Sequence, residues 1–322
     1  MRGVAAAAPT SARRAFVLAL ACGLGAALIF AGQNVVARYS VRATLSAPDL
    51  TALRFGLAGL LLLPVVWRHG IASLAGIGWR RGPVIALLAG APFSLLVMGG
   101  LSFAPVAHVS AITPGLIPVA AAALSWLVIG EPVGAGRALG LAAIVTGVAL
   151  LGWDALGGAS ERAWIGDLMF VAAGISWAGY TVAARLWAIK PVQGTAVIAV
   201  LSMAFLPLYV LFFDSHLAQA PLGELLFQAL YQALFTGIIA VILYTRSVAA
   251  LGASQAALFA ALIPVCGTLM AIPVLGEIPN LLQVSGILVV TAGMVVAMGV
   301  GLRRPKPEAE TRRPGQGQGE QR

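Results

Sequence analysis

The chain repeats itself once, and this limits its fold more than any other feature. Pro118, Gly130, Glu131, Gly140 and Gly147 recur without a gap 146 positions later as Pro264, Gly276, Glu277, Gly286 and Gly293. An earlier echo, at an offset of 147, sets Phe30-Ala-Gly-Gln-Asn-Val-Val-Ala-Arg38 against Trp177-Ala-Gly-Tyr-Thr-Val-Ala-Ala-Arg185. Each half, about 150 residues long, carries the same two hydrophobic segments hinged at the same Gly-Glu turn. A sequence duplicated in this way builds one unit twice.

The solvent of that unit follows from composition. Sixty per cent of residues are hydrophobic, ten per cent are charged and mean hydropathy is +0.96. A soluble protein of this size needs more charge to cover its surface, so the chain belongs in a lipid bilayer. The net charge of +9 does not indicate nucleic-acid binding. That requires basic residues gathered on one face with polar and aromatic neighbours, and here they form short clusters between apolar runs. Cys22 and Cys266 both fall inside hydrophobic segments and suggest no structural disulfide. Arg13-Arg14 before an apolar run resembles an export signal. The run continues past Cys22 to Val36, however, long enough to span, and is read as an uncleaved first helix.

Ten runs of about 20 apolar residues, bounded by charge, Gly or Pro, predict ten spanning helices. They are Phe16–Val36, Leu50–Val66, Pro83–Phe103, His108–Ile129, Arg137–Gly152, Asp167–Leu186, Thr195–Phe213, Phe227–Ala249, Ser254–Leu275 and Leu281–Val300. The domain reading is a cytoplasmic segment at 1–15, a first five-helix repeat at 16–152, an outer loop at 153–166, a second repeat at 167–302 and a disordered cytoplasmic tail at 303–322. With both termini inside, sixteen Lys and Arg residues lie on the inner side. Only Arg38, Arg42 and Arg162 lie outside, and Arg54 is left within a span. The positive-inside rule favours this placement in a bacterial inner membrane. Five helices per half is an odd number, so the second half must be inverted relative to the first, as in many secondary transporters. The expected architecture is all-α, ten transmembrane helices in a five-plus-five inverted repeat.

At Ile117-Pro118 to Glu131-Pro132, and again at Ile263-Pro264 to Glu277, the sequence resembles the EamA-like family of the drug/metabolite transporter superfamily. The likeness runs from Phe16 to Val300 and includes Leu53-Arg54-Phe55 and Gly-Ala-Ser-Gln-Ala-Ala at 252–257. The resemblance implies ten helices and alternating access. It also implies a central cavity lined by helices one to four and six to nine, with five and ten peripheral. Relatives commonly carry a glutamate before the proline of helices four and nine. Here Ile117 and Ile263 stand in its place, so a carboxylate role there does not carry over.

Polar groups inside a membrane are costly and mark candidate sites. Arg54, four residues past Leu50, lies roughly 6 Å below the membrane edge. It could snorkel outward, paired with Asp49, or face a cavity and attract an anionic substrate group. Phe30, Gln33 and Asn34 fall on one helix face, as do their counterparts Trp177, Tyr180 and Thr181. These stripes either line the two ends of a cavity or make ordinary interhelical hydrogen bonds. Pro118 and Pro264 should kink helices four and nine. The glycines at 136, 140, 147, 286 and 293 suit close helix packing, and Glu131 and Glu277 suit helix-end capping. No carboxylate falls mid-span, although Asp49 and Asp167 could reach inward from helix starts. His108 could sense external pH, though a solvated histidine is commoner at a helix start.

There is no metal-ligand cluster, phosphate-binding glycine loop or nucleophile with a plausible histidine partner, so no enzyme, metal or cofactor is expected. The expected partners are a small-molecule substrate and the lipid bilayer, with a homodimer possible. The reading is a secondary transporter of a small organic metabolite, an amino-acid exporter being the first choice. A non-transporting scaffold or biogenesis factor is the alternative. Tags at Met1 and at Arg322 should both be shielded from impermeant antibody in intact cells and reached only after permeabilisation. Tags on opposite faces would refute an even span count.

Overall fold

The computed structural model describes residues 9–130, 132–157 and 162–299. Glu131, residues 158–161 of the predicted outer loop and the predicted tail lie outside the described residues, as do the first eight residues.

The first half comprises α1 (Pro9–Ala43), α2 (Ala47–Arg68), α3 (Arg81–Ala89 continued by Ala91–Gly100), α4 (Val106–Ile129) and α5 (Ala135–Gly157). The second comprises α6 (Ala163–Leu186), α7 (Pro191–Ser202 continued by Phe205–Phe212) and α8 (Leu222–Leu251). It closes with α9 (Ala253–Ala260 continued by Ile263–Leu275) and α10 (Leu281–Ala297). Among the described residues nine helices are long and apolar enough to span a membrane, and α10 is a shorter apolar tenth of 17 residues. Large side chains such as Leu61, Leu127, Val210, Leu211 and Leu288 remain exposed along the spans. Such a surface is stable only against lipid. The chain is a multi-pass membrane protein.

Several boundaries differ from the sequence reading. α1 continues past Val36 to Ala43, so Arg38 and Arg42 sit on a helix rather than in a loop. Nothing between residues 37 and 43 breaks a helix, and the first stop signal is Ser46. Ser46 Oγ accepts the Asp49 N–H at 3.4 Å while Asp49 Oδ2 accepts the Ser46 N–H at 2.7 Å. This reciprocal cap starts α2 three residues before the predicted Leu50. α8 changes geometry midway, with a π-helix at Leu230–Ile239.

The prolines act unequally. Pro118 lies inside an uninterrupted α4, whereas the helix stops at Ala260 and restarts at Ile263 around Pro264. A proline in the first turn of a new helix loses no bond that turn would have made. In α3 the break falls at Gly90, ahead of Pro92. Pro92 has no N–H to offer the Leu88 carbonyl four residues back. Ser176 Oγ of α6 donates to that oxygen at 2.7 Å, and the Ala91 N–H donates to Ser202 Oγ of α7 at 3.1 Å. The second half thus completes a broken helix of the first, where hydrocarbon could not.

Inversion is visible in the contacts. Arg38, near the end of α1, and Asp167, near the start of α6, both join the cluster around the start of α4. The repeat equates α1 with α6, so the two helices run in opposite directions. Packing is largely between halves: α1 lies against α8 and α9, α2 against α7 and α8, and α4 against α6, α9 and α10. The most extensive contact joins α5 to α10.

That last contact explains the conserved spacing of glycines within the repeat. A Cβ on Gly147 would stand 2.8 Å from the Gly286 carbonyl oxygen, and one on Gly286 would stand 3.0 Å from that of Gly147. Gly140 and Gly293 meet in the same reciprocal way. The obstacle is backbone, which cannot swing aside. Gly147→Val should therefore destabilise the protein by roughly 3 kcal/mol, whereas Gly134→Ala, with open space around its Cβ, should be neutral. Thermal unfolding in detergent checks both; equal melting temperatures would contradict the close contact.

Candidate functional site

The carboxylate contacts between the two halves are not spread evenly through the bundle. They gather at the face carrying the α1–α2 turn (residues 44–46), termed here the first-turn face.

Glu277, just after α9, is one junction between the halves. Its Oε1 accepts from Arg38 Nε at 2.8 Å, with Arg42 Nη1 at 3.5 Å, and its Oε2 accepts the Val106 N–H at 2.9 Å. Arg38 Nη1 also donates to the Leu101 carbonyl. Pro105 cannot bond to that carbonyl, so the arginine fills a vacancy that the proline creates. Glu277 does cap a helix end, but the helix is α4 of the other half. Beside it lies a cavity of about 390 Å³ lined by Arg42, Thr268, Gly276, Glu277 and Gln283, among others.

Three further clusters cross between halves at the same face. Asp49 is fully buried and accepts from the Tyr209 hydroxyl, from the His216 N–H at 3.3 Å and lies 3.2 Å from His216 Nδ1. Glu224 accepts from the hydroxyls of Ser40 and Thr44. His108 is 1 % exposed, not solvated, because α4 carries it between two carboxylates. Its Nδ1 is 2.8 Å from Asp167 Oδ1 and its Nε2 is 3.5 Å from Asp154 Oδ2. Gln283 and Asn280 of α10 and its cap donate to Asp154 at 2.8 and 2.6 Å. Asp49 and Asp167 do reach inward from helix starts, as the sequence allows.

Toward the interior, Gln228 and Gln232 of α8 are buried at 1 % and 0 % exposure. Gln228 Nε2 donates to the Val36 carbonyl at 2.8 Å and to Ser40 Oγ at 2.7 Å. Gln232 Nε2 donates to Gln228 Oε1 at 3.4 Å. Asn34 Nδ2 donates to Ser110 Oγ of α4 at 3.3 Å, and the Thr51 and Ser94 hydroxyls are 3.2 Å apart.

Arg54 follows Thr51 by one helical turn, seven residues into α2 and so about 10 Å along it. Asp49 is not its partner, being committed to Ser46, Tyr209 and His216. Among the described residues Arg54 makes no ion pair or hydrogen bond; its guanidinium lies 5.5 Å from the Phe55 ring centre. The side chain is half-buried.

The two sequence stripes are placed differently. Gln33 is buried, Phe30 and Asn34 are half-buried, and Asn34 is engaged by Ser110. Trp177 packs on Phe93 at 4.8 Å and on Tyr180 at 5.4 Å between ring centres. Thr181 is exposed and donates to the Trp177 carbonyl of its own helix at 2.9 Å. Among the described residues no hydrogen bond or ring contact joins one stripe to the other. The sequence reading passed over Glu224, Gln228 and Gln232. Their spacing of four along an otherwise apolar helix was the available signal. The repeat also supplies counterparts of Arg38 and Glu277, namely Arg185 and Glu131; Glu131 lies outside the described residues.

The family model for EamA-like transporters matches residues 17–153 and 164–299, one match in each half. Thirteen chains of known structure match as well. One of these, described only as a protein, aligns with a TM-score of 0.57 at 20 % identity, covering 90 % of this chain and 99 % of that one. At that identity the likeness concerns the fold alone. No curated protein matches.

The Glu277 junction makes a direct test of cross-half coupling. The side chains of Arg38 and Glu277 are only 11 % and 15 % exposed, so removing either deprives a largely buried charge of its closest ionic partner. Arg38→Ala and Glu277→Ala should each cost about 3 kcal/mol. The double variant should lose less than the sum, with a coupling of about 1–3 kcal/mol. Additive losses in unfolding experiments would mean that the pair is incidental.

Proposed function

This chain belongs to the EamA-like transporter family of the drug/metabolite transporter superfamily, and on that premise we propose that it is a secondary transporter that exports amino acids or related metabolites by alternating access. Arg54 is the observation that carries this reading. A cation at the centre of a span costs about 2.5–3.5 kcal/mol on insertion scales, and less at the shallower depth of Arg54; such residues normally face a partner or a water-filled cavity. Arg54 has no ionic partner among the described residues, and α2 packs against α7 and α8 of the other half. An anionic group on a solute between the halves would supply the missing partner.

The distribution of polar contacts supports the same reading. Asp49, Asp154, Asp167, Glu224 and Glu277 all accept or face a group from the opposite half, all at the first-turn face. The positive-inside count assigns this face to the outside. On that assignment the conformation is closed outward, with the route continuing toward the cytoplasm. Export then requires the five carboxylates to exchange their cross-half bonds for water while the opposite face closes. A solute can drive that exchange only through its different affinity for the two states.

Purified protein in liposomes should give saturable flux of one or more labelled L-amino acids. Arg54→Gln should raise KM by about ten- to a hundredfold, the loss expected for a hydrogen bond to a charged group, while the protein remains folded. Absence of any saturable flux would favour the scaffold alternative. Unchanged kinetics in Arg54→Gln would remove that residue from the route.

A further inference from the structure

Arg54 lacks an ionic partner among the described residues, and the facing helix α8 carries a buried unsatisfied group of the opposite hydrogen-bonding character. Gln232 is fully buried, and its Oε1 has no donor among the described residues. The orientation of this amide is fixed by its neighbour. Gln228 spends its Nε2 on the Val36 carbonyl and on Ser40 Oγ, so it turns its oxygen toward Gln232. Gln232 must answer with Nε2, because two carbonyl oxygens would repel. Its own Oε1 is therefore the end left over, an acceptor with nothing to accept.

The backbone around Gln232 is unusual as well. Leu230–Ile239 is π-helical over ten residues, with Thr236 Oγ1 donating to the Tyr231 carbonyl five residues back at 2.9 Å. π-helical segments inside α-helices occur frequently at functional sites, since the wider turn re-aims side chains that an α-helix would hide. This segment packs directly against α2, the helix that carries Arg54. Phe55, next to Arg54, and Ala233, next to Gln232, belong to one apolar cluster. Arg54 belongs to the first half and Gln232 to the second.

We propose that Arg54 and Gln232 form the two poles of a binding site for an α-amino acid, with Arg54 holding the carboxylate and Gln232 Oε1 accepting from the ammonium. The proposal rests on the transport reading above and adds the residue that would recognise the amino group. An anion alone would satisfy Arg54 and leave Gln232 Oε1 empty. A cation alone would do the reverse and add charge beside the guanidinium. A zwitterion satisfies both and adds no net charge to the low-dielectric interior. It also bridges the halves, which is where a transported solute must act.

Competition in the liposome assay tests this. L-Amino acids are screened singly for flux, and each transported one is challenged with two analogues: the carboxylate lacking the amino group and the amine lacking the carboxylate. With wild-type protein the des-amino carboxylate should compete at least about tenfold more weakly than the amino acid, as expected for a lost bond to a charged donor. In Gln232→Met that gap should shrink to below about threefold, while discrimination against the amine persists through Arg54. A wild-type protein without the gap, or a Gln232→Met variant that keeps all of it, overturns the proposal while leaving transport itself intact. If no amino acid is transported, the functional reading fails and this proposal falls with it. Should Gln232→Met not fold, thermal unfolding of the wild type decides: the amino acid should raise the melting temperature more than its des-amino carboxylate, and equal shifts refute the role of Gln232.

Discussion

Hydrocarbon offers no hydrogen bonds, and this single fact shapes the molecule. Every backbone group released by a proline, and every charge carried into a span, must find its partner inside the protein. Pro92 releases the Leu88 carbonyl, and a serine of α6 takes it. Pro105 releases the Leu101 carbonyl, and Arg38 takes it while held by a glutamate of the second half. In each case one half depends on the other. The halves can separate at one face only if water or a new set of contacts replaces these bonds. On the alternating-access reading proposed above, that requirement favours discrete arrangements of the two halves over continuous deformation.

The fold was legible in the sequence because it rests on signals that survive without tertiary detail. Apolar length marks the spans, and a period of 146 residues marks the duplication. An odd helix count then forces inversion. Helix limits were less legible. Nothing in residues 37–43 announces whether α1 stops with the apolar run or continues, and continuing places Arg38 where Glu277 can reach it. The unequal behaviour of Pro118 and Pro264 was likewise hidden, since identical residues in the repeat sit in α4 as an interior proline and in α9 at a restart.

The candidate site was legible only in part. Arg54 stood out as a charge within a span, and its lack of an ionic partner among the described residues keeps it the leading candidate. Composition gave no weight to Gln228 and Gln232, because glutamine inside an apolar run carries no charge. What singles them out is burial and the chain of bonds that leaves one oxygen without a donor among the described residues. His108 shows the same limit from the other side. Its position at a helix start suits a solvated histidine, and only the packing of α5, α6 and α10 around it makes it a buried link between carboxylates.

The central claim is that two inverted halves move against each other, closing one face as the other opens. Pulsed electron-electron distance measurements test it directly, with spin labels replacing the exposed residues Tyr39 and Ile278 near the first-turn face, or Trp67 and Leu186 at the other, in a background without Cys22 and Cys266. Adding a transported amino acid should shift the two distances in opposite senses, one lengthening as the other shortens. Distances that stay fixed, or that lengthen and shorten together, would contradict alternating closure of the two faces.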